Sequence, residues 1–398
     1  ELGVPLTFRA AGTSLSGQAV SDSVLVVAGK HWEGCEVLDG GRAVRLQPGV
    51  VGARVNEVLK PFGYRFSPDP ASVKSAMVGG IVMNNASGMN CGTHANSDRV
   101  LLSARLVLTD GTLLDTGDEA SRRAFSESHG GFLRAVEALR DGVRANETLV
   151  QRLRHKYSVK NVMGLNLLPF ICFDDPFDII AHLMVGSEGT LAFLAGVTMR
   201  TEREYEYKAS AMVYFSDIGE ASRAVVEMHN LQDAAGERIV HSAEMLDRKS
   251  LASVGDATGE GLTAVLTETK AQTPEELAAN VVRIEALLGR SALCVPARFT
   301  DDPAEQAKYW AVRSGIFPAV GGSRRPGTTS LIEDVAFHIE DLPQATAELQ
   351  ALIARHGYDD ACIYGHALEG NYHFIINQSF SEPAEVARYE ALMNDVVE

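Results

Sequence analysis

The stretch Arg9-Ala-Ala-Gly-Thr-Ser-Leu-Ser-Gly17, near the start of the chain, combines glycines with hydroxyl side chains. Glycine allows the backbone to turn tightly and to approach a ligand closely. Successive backbone N–H groups in such a turn form a concave anion site, which suits a pyrophosphate. Taken alone, the stretch also fits an ordinary solvent-exposed loop.

Two common phosphate-binding fingerprints are missing from the sequence. We find neither the G-x-G-x-x-G of dinucleotide-binding Rossmann domains nor the G-x-x-x-x-G-K-[ST] of phosphate loops. A pyrophosphate must therefore be held by another type of loop.

Two further segments share the glycine-and-hydroxyl chemistry and follow in a definite order. Pro68-Asp69-Pro70 precedes the glycine-rich segment Gly79–Met89. Gly186–Leu191 follows an apolar run, Ile179–Val185, that predicts a strand. Together with Arg9–Gly17, these segments resemble the three flavin-contacting loops of the vanillyl-alcohol-oxidase type FAD-binding family.

The resemblance implies that the first loop binds the pyrophosphate of FAD and that the third lies with its backbone against the cofactor. Where the family binds flavin covalently, it does so through a histidine or cysteine at the loop. This chain has Thr13 and Ser14 instead, so we expect non-covalent FAD. The residues expected to contact FAD are Arg9, Gly12, Thr13, Ser14, Ser16, Gly17, Pro68, Gly80, Asn84, Ala86, Ser87, Gly88, Gly186, Glu188, Gly189 and Thr190.

Residues 1–204 are therefore expected to form an FAD-binding domain. Val24–Ala28 predicts a buried strand, and Ala104–Leu108 with Thr112–Asp115 predicts a hairpin. A helical insertion is expected at about 119–165. Relatives carry a strand–helix–strand unit before the first loop, so we expect this domain to be incomplete at its N terminus.

The pattern changes after the charged segment Thr201–Tyr207. Strand-like segments there alternate with helix-like segments, as Leu262–Glu268 does with Pro274–Leu288. Such units predict an α+β domain with helices on one face of an antiparallel sheet. We expect residues 205–398 to form a substrate-binding cap domain, incomplete at its C terminus.

The second half resembles the D-lactate and D-2-hydroxyglutarate dehydrogenase branch of the family, most closely its long bacterial members with an additional iron–sulfur region. The segments that carry this resemblance are Tyr157–Asn161, Phe173–Asp178, Glu333–Val335 and Gly365–His373. It implies oxidation of a D-2-hydroxy acid to the 2-oxo acid by hydride transfer to flavin. The electrons would pass to an acceptor protein or a quinone, and an iron–sulfur cluster is expected only in parts of the parent enzyme outside this chain.

His366 and His373 are the candidate metal ligands. Ala361–Tyr364 and Tyr372–Ile376 are strand-like, and Ala367–Gly370 is a tight connection that could bring both imidazoles to one end of a sheet. Two imidazoles can bind Zn²⁺ or another divalent ion. On spacing alone, two partly buried histidines bonded to backbone are the alternative.

The resemblance supports metal binding by His366 and His373, although the related enzymes commonly have Gly-Asp where this chain has Leu368 and Glu369. It also implies a further glutamate ligand and a base histidine in a Glu-His-Gly segment. We expect that segment beyond Glu398, and so regard the chain as a fragment of a longer enzyme.

Arg313 is the candidate substrate-binding residue. It lies in Tyr309-Trp-Ala-Val-Arg313, on a predicted helix. The resemblance implies that it binds the substrate carboxylate, for which a forked guanidinium is well suited. A solvated helix arginine is the alternative. Arg324 and Arg325 are predicted to lie in a surface loop, with attraction of an anionic acid as the alternative.

Composition narrows the class of protein. The net charge of −16 disfavours nucleic acid and anionic membrane as direct partners. The five cysteines are scattered and never form C-x-x-C, which is typical of a reducing compartment. No apolar run approaches the roughly 18 residues that a spanning helix needs. We expect a cytoplasmic protein, with peripheral attachment to the inner membrane as the alternative.

Two rival functions remain open at this point. The same fold could support a metal-independent flavin oxidase or reductase acting on another alcohol. It could also serve as a non-catalytic flavin-binding module.

Overall fold

The described residues of this computed structural model are 3–14, 17–88, 91–255 and 262–398. The chain divides into two units, Glu1–Glu204 and Tyr205–Glu398, and each has its own hydrophobic core. Ser16, one of the expected FAD contacts, lies outside the described residues.

An antiparallel sheet forms the centre of the first unit. The strands of this unit are β1 (Leu6–Arg9), β2 (Val24–Val27), β3 (Cys35–Leu38), β4 (Ala43–Leu46), β5 (Tyr64–Phe66), β6 (Leu101–Val107), β7 (Leu113–Asp115) and β8 (Phe193–Arg203). The sheet has the order β3-β4-β8-β6-β7, and β5 pairs with the last residues of β8. β1 and β2 form a separate parallel pair.

Helices pack against this sheet and contribute to the same core. They are α1 (Gly52–Leu59), α2 (Val78–Asn84), α3 (Ser97–Val100), α4 (Glu119–Ala145), α6 (Pro169–Cys172) and α7 (Pro176–Leu183), while α5 (Glu147–Lys156) contacts α4. The predicted hairpin is present as β6 and β7, and α4 and α5 lie where the helical insertion was expected.

Three sequence expectations in the first unit are wrong. Ile179–Val185, predicted as a strand, lies mostly in α7, which begins where the Asp175 carboxylate accepts a hydrogen bond from the backbone N–H of Phe177 at 2.8 Å. All residues of this run are buried except the half-buried Leu183, and a short buried apolar run has no periodicity that distinguishes a strand from a helix. Val24–Ala28 does form a strand, β2, but Val24 and Val27 are 48% and 61% exposed rather than buried. The first half of Gly79–Met89, expected as a loop, belongs to helix α2.

The second unit is a fully antiparallel sheet with helices. Its strands are β9 (Tyr207–Phe215), β10 (Ser242–Leu246), β11 (Thr263–Ala271), β12 (Thr329–Ala336), β13 (Cys362–His366) and β14 (Asn371–Gln378), in the order β12-β14-β13-β10-β11-β9. Its helices are α8 (Ile218–His229), α9 (Arg248–Ser253), α10 (Pro274–Leu288), α11 (Pro303–Ser323), α12 (Leu342–Arg355) and α13 (Pro383–Val397).

Helices cover both faces of this sheet, so the expectation of a single covered face is wrong. Side chains alternate along each strand. On β10, Ala243 and Met245 pack in the cluster that includes α8, α10 and α12, whereas Leu246 packs in the cluster that includes α9 and α11. Every residue of β10 and β11 is buried. Strands buried at every position require cover on both faces, and polar side chains on the α11 face are therefore enclosed.

Candidate active site

The three predicted flavin loops lie together in the first unit. The Glu188 carboxylate accepts hydrogen bonds from Asn84 Nδ2 at 2.7 Å and Gln18 Nε2 at 3.4 Å. The backbone N–H of Glu188 also donates to the carbonyl of Met83 at 3.0 Å. A Cβ at Gly80 would lie 3.7 Å from that of Ala10, so the first loop borders α2 as well.

The backbone of these loops adopts conformations that most residues avoid. Asn85 and Glu188 have positive φ angles of 58° and 54°. Gly88 cannot be replaced without movement, because an added Cβ would lie 1.5 Å from the carbonyl oxygen of Asp69. Gly186 combines a φ of +81° with a Cβ position 2.2 Å from the Gly164 carbonyl. Such clustering of unusual backbone is typical of ligand sites.

Cys91 fixes the second loop against Pro68–Pro70. Its buried sulfur accepts hydrogen bonds from the backbone N–H groups of Asp69 and Gly88, both at 3.2 Å. Burial raises the pKa of the Cys91 thiol, so the sulfur stays neutral. Sequence reasoning missed this residue, because nothing in the local pattern marks a cysteine as a backbone acceptor.

The loops offer groups that suit a cofactor. The Ser87 hydroxyl is buried, and no hydrogen-bond partner for it is found among the described residues. Buried polar atoms without a partner are rare and commonly mark a missing ligand or water. Of the other expected contacts, Pro68 and Gly88 are buried, Ala86 is half-buried, and Arg9, Gly12, Thr13, Ser14, Gly17 and Thr190 are exposed.

A separate cavity of about 700 Å³ lies elsewhere in the first unit. Its lining includes Arg99, Arg200, Asp98, Asp178 and His182, and none of the expected FAD contacts. Because both arginines and aspartates line this cavity, its charge indicates neither an anionic nor a cationic ligand.

In the second unit, His366 and His373 face each other. They lie on adjacent strands, β13 and β14, and on the same face of the sheet, because Tyr364 pairs with His373 and His366 follows two residues later. Their Nε2 atoms are 3.3 Å apart. The turn between them is closed by Gly370, whose φ of +64° and close approach to the Phe337 carbonyl leave no room for a side chain.

Each imidazole is held at its other nitrogen by a carboxylate. His366 Nδ1 lies 2.7 Å from Glu244 Oε1, and His373 Nδ1 bonds Asp334. An ionised carboxylate only accepts hydrogen bonds, so each Nδ1 carries a proton. If both imidazoles are neutral, their Nε2 lone pairs then point at one another, whereas a second proton on one ring would join the two Nε2 atoms by a hydrogen bond. A cation between them removes this repulsion, and a carboxylate behind a histidine is a common arrangement at metal sites.

Glu244 joins this pair to Arg313. Arg313 Nε donates to Glu244 Oε2 at 2.7 Å, and the guanidinium carbon lies 4.5 Å from the centre of the Tyr364 ring. Burial alone would raise the pKa of Glu244, but the attraction of His366 and Arg313 and their hydrogen bonds lower it below its usual value. The carboxylate is therefore ionised although it is only 1% exposed.

Arg313 is more enclosed than the sequence predicted. It is 8% exposed, so the solvated-arginine alternative is wrong. Its Nε is committed to Glu244, while no hydrogen bond from its two terminal nitrogens is found within the part of the chain that the structure describes. Arg324 and Arg325 are exposed, as expected, and Arg324 bonds the Thr328 carbonyl.

Glu369 takes no part in the histidine pair. It forms an ion pair with Arg238 at 2.9 Å. Among the described residues, no group of three or more His, Cys, Asp or Glu side chains is arranged to hold a metal ion. The two facing imidazoles are therefore fewer side chains than such a group requires.

Comparison with known families agrees with the fold of both units. A family described as FAD binding domain matches residues 1–117, and one described as FAD linked oxidases, C-terminal domain, matches residues 204–398. The chain belongs to the FAD-linked oxidase family. The family resemblance drawn from the loops is thereby confirmed, and FAD is the cofactor of this family.

The curated relatives of this chain include a glycolate oxidase subunit and a D-2-hydroxyglutarate dehydrogenase. The chain is 25% identical to the glycolate oxidase subunit GlcD of Escherichia coli K12, over 100% of this chain and 68% of that protein. It is 23% identical to the D-2-hydroxyglutarate dehydrogenase of the same organism, over 98% of this chain and 40% of that protein. This member of the FAD-linked oxidase family thus spans less than half the length of the second relative.

Solved structures show the same fold. Alkyldihydroxyacetonephosphate synthase superposes with a TM-score of 0.65 and 14% identity, over 98% of this chain and 66% of that one. The 4-ethylphenol oxidase of Gulosibacter chungangensis gives a TM-score of 0.62 and 15% identity, over 99% and 74%. The expected vanillyl-alcohol-oxidase type fold is confirmed. Among the described residues, no helix has the length and apolar character required to cross a membrane.

Proposed function

We propose that this member of the FAD-linked oxidase family is the flavin- and substrate-binding part of a dehydrogenase for a D-2-hydroxy acid of the D-lactate or D-2-hydroxyglutarate class. The observation that carries the proposal is the buried network in which Glu244 joins Arg313 to the facing pair His366 and His373. This network offers one group suited to a carboxylate, Arg313, and a pair of imidazoles that would hold a divalent ion.

In this proposal FAD is held non-covalently by the three loops of the first unit. The exposed first loop supplies backbone N–H groups and hydroxyls to the pyrophosphate. Gly80, Gly88 and Gly186 have no side chain, so the cofactor can approach the backbone at these positions. The buried Ser87 hydroxyl can form a hydrogen bond with the cofactor. When bound, FAD supplies the redox chemistry by accepting the two electrons that the acid loses.

Arg313 is proposed to bind the carboxylate of the acid. Its Nε is occupied by Glu244, which leaves the two terminal nitrogens to pair with two carboxylate oxygens. The Tyr364 ring beneath the guanidinium restricts its tilt. Holding the acid by its carboxylate orients the neighbouring carbon for loss of its hydrogen.

His366 and His373 are proposed to bind Zn²⁺ or another divalent ion through their Nε2 atoms. Such an ion would polarise the substrate hydroxyl and lower its pKa. The geometry of the two imidazoles supports this role, because carboxylates hold both Nδ1 atoms and the two Nε2 atoms are 3.3 Å apart. Neither histidine is then proposed as the base that removes the hydroxyl proton, since neither has a free lone pair.

The reaction oxidises the alcohol carbon. The C–H bond next to the carboxylate breaks with its electron pair, the hydroxyl proton leaves to a base, and the product is the 2-oxo acid. We propose an acceptor protein or a quinone for the electrons, as a separate partner in a cytoplasmic setting. One relative is a glycolate oxidase subunit, and the hydroxyl-bearing carbon of glycolate carries two hydrogens and no side chain. That relative therefore does not indicate which side chain the acid oxidised by this protein carries.

The test is reduction of the bound flavin under anaerobic conditions. The full-length protein is mixed with D-lactate, L-lactate, D-2-hydroxyglutarate, L-2-hydroxyglutarate and glycolate, and the loss of visible flavin absorbance is followed. We expect a D-acid to reduce the flavin fastest. Reduction by glycolate alone would reassign the substrate, and no reduction by any acid would refute the proposal.

A further inference from the structure

We propose that Glu244 is a positioning residue that couples Arg313 to His366, and this inference rests on the proposed function. Glu244 lies on β10, next to β13, and pairs in register with His366. Both of its oxygens are used: Oε1 lies 2.7 Å from His366 Nδ1, and Oε2 lies 2.7 Å from Arg313 Nε. One buried side chain therefore contacts both Arg313, which is assigned to the substrate carboxylate, and His366, which is assigned to the metal.

The first consequence concerns His366. Because the carboxylate is an acceptor, it requires a proton on Nδ1, and in the neutral imidazole Nε2 is then the nitrogen that carries the lone pair a metal would need. The opposite tautomer would place a proton on Nε2, directed at His373. Glu244 thus selects the one neutral form of His366 that can act as a ligand on this side.

The second consequence concerns Arg313. A guanidinium is planar, so a hydrogen bond at Nε fixes the direction of its terminal nitrogens. The ring of Tyr364, 4.5 Å from the guanidinium carbon, fixes the plane. Together these contacts set where a carboxylate can bind.

The structure of a 2-hydroxy acid explains why coupling Arg313 to His366 would affect the reaction. Its carboxylate and its hydroxyl sit on adjacent carbons, so the groups that bind them must keep one separation. A misplacement of about 1 Å in such an arrangement can cost about 100-fold in rate. A single carboxylate that touches both binding groups holds that separation more strictly than two independent partners.

Another buried carboxylate in the same sheet provides a matched comparison. Glu268 lies on β11, and its oxygens contact Lys270 at 3.1 Å, Ser210 at 3.3 Å and Trp310 at 3.3 Å. It is 6% exposed. Glu268 bonds helix α11, as Glu244 does, but contacts none of the residues assigned to the acid or the metal. The Glu268→Gln variant therefore measures the general effect of removing a buried carboxylate from this sheet.

Glu244→Gln is the decisive variant, because it keeps the shape and replaces one acceptor by an amide donor. The amide oxygen can satisfy Arg313 or His366, and the NH₂ group then faces an N–H of the other. We expect Zn²⁺ affinity to fall about 10- to 100-fold, as on loss of a carboxylate behind a metal-bound histidine. We also expect the KM for the acid to rise at least about 10-fold, with FAD content unchanged.

The experiment compares wild type, Glu244→Gln and Glu268→Gln as full-length proteins. Zn²⁺ titration, the ¹⁵N NMR tautomer of His366, and KM with kcat are measured on each. Support requires that Glu244→Gln alone weakens Zn²⁺ binding, moves the His366 proton to Nε2 and raises KM. Equal losses in both variants, or no change in Glu244→Gln, would overturn the coupling.

Two further outcomes are decisive. If no acid reduces the wild-type flavin, the proposed function fails, while the tautomer and Zn²⁺ affinity still test the coupling. If Glu244→Gln does not fold, the wild-type spectrum decides. A His366 without a proton on Nδ1 would contradict the inference.

Discussion

The candidate cofactor loops of the first unit are shaped by backbone, whereas the candidate substrate site of the second unit is built from charged side chains. In the loops, Gly88 and Gly186 leave no room for a Cβ, and Asn85 and Glu188 adopt positive φ angles. In the second unit, Glu244, Arg313 and His366 form a buried network of charge-assisted hydrogen bonds.

This difference determines how each region should respond to substitution. A site made from backbone is sensitive to added volume and tolerant of changes in charge. A site made from buried ionised groups is sensitive to the loss of one partner, because the remaining charge is left unpaired. The following predictions test the contrast, beginning with the largest expected effect.

Removing an imidazole should have the largest effect. His366→Ala takes away one of two facing Nε2 atoms, and we expect kcat/KM for the acid to fall about 10³-fold, or roughly 4 kcal/mol of transition-state stabilisation. FAD content should remain that of wild type, as measured by flavin absorbance in the same sample. His356→Ala is the matched control, because His356 also bonds a carboxylate, Asp395 at 2.8 Å, outside the network. An equal loss in the control would contradict the assignment.

Adding one methyl group to the second loop should mainly affect the cofactor. In Gly88→Ala the new Cβ would lie 1.5 Å from the Asp69 carbonyl oxygen, so the backbone must move. Overpacking of this kind costs about 1–3 kcal/mol, and we expect FAD affinity to fall by up to about 100-fold in a fluorescence titration. Gly142→Ala is the control, since Gly142 lies in α4 with nothing near its Cβ position. Wild-type FAD affinity in Gly88→Ala would refute the backbone account of this site.

Replacing the fork of Arg313 should separate substrate binding from cofactor binding. Arg313→Lys keeps the charge but loses the planar pairing with a carboxylate. We expect the KM for the acid to rise about 10- to 30-fold, equivalent to about 1.5–2 kcal/mol, while FAD affinity stays unchanged. The exposed Arg325 offers the control variant Arg325→Lys. Unchanged kinetics in Arg313→Lys would remove the arginine from the proposed site.

The smallest effect concerns the acid stability of the second unit. Burial, together with repulsion by Lys270, lowers the pKa of His241 to about 4. The unfolded chain, with a pKa of about 6.5, binds this proton first. The stabilising contribution is therefore present above about pH 6.5 and is lost as the pH falls towards 4, by about 1–2 kcal/mol for a half-buried group. Urea unfolding at pH 7 and pH 4.5 should show a weaker pH dependence in His241→Asn, and an identical dependence would contradict this account.

The loops could be found from the sequence because their signal is local. Arg9–Gly17, Asn84–Gly88 and Gly186–Thr190 each consist of glycines and small polar residues within a few positions. The histidine pair was also predictable, since the two residues flank one tight turn. A backbone site leaves its requirements in consecutive residues.

The rest of the substrate site could not be found in this way. Glu244 lies 69 residues from Arg313 and 122 from His366, and only the strand order brings them together. Its strand is buried at every position and shows no alternation that would mark a buried carboxylate. Asp334 was part of a recognised segment, but its contact with His373 depends on the β12–β14 register. The wrong prediction of a strand at Ile179–Val185 has a similar origin, since a short buried apolar run shows no periodicity that distinguishes helix from strand.

The most direct test of the account is a single-turnover measurement on the full-length enzyme. Flavin reduction by the preferred D-2-hydroxy acid is followed without oxygen, before and after removal of bound metal by a chelator, and again after Zn²⁺ is restored. The account predicts rapid reduction by the D-acid, slow reduction by its L-enantiomer, a large loss on chelation and recovery with Zn²⁺. Rapid reduction that is indifferent to chelation, in a protein shown to be metal-free, would contradict the role given to His366 and His373.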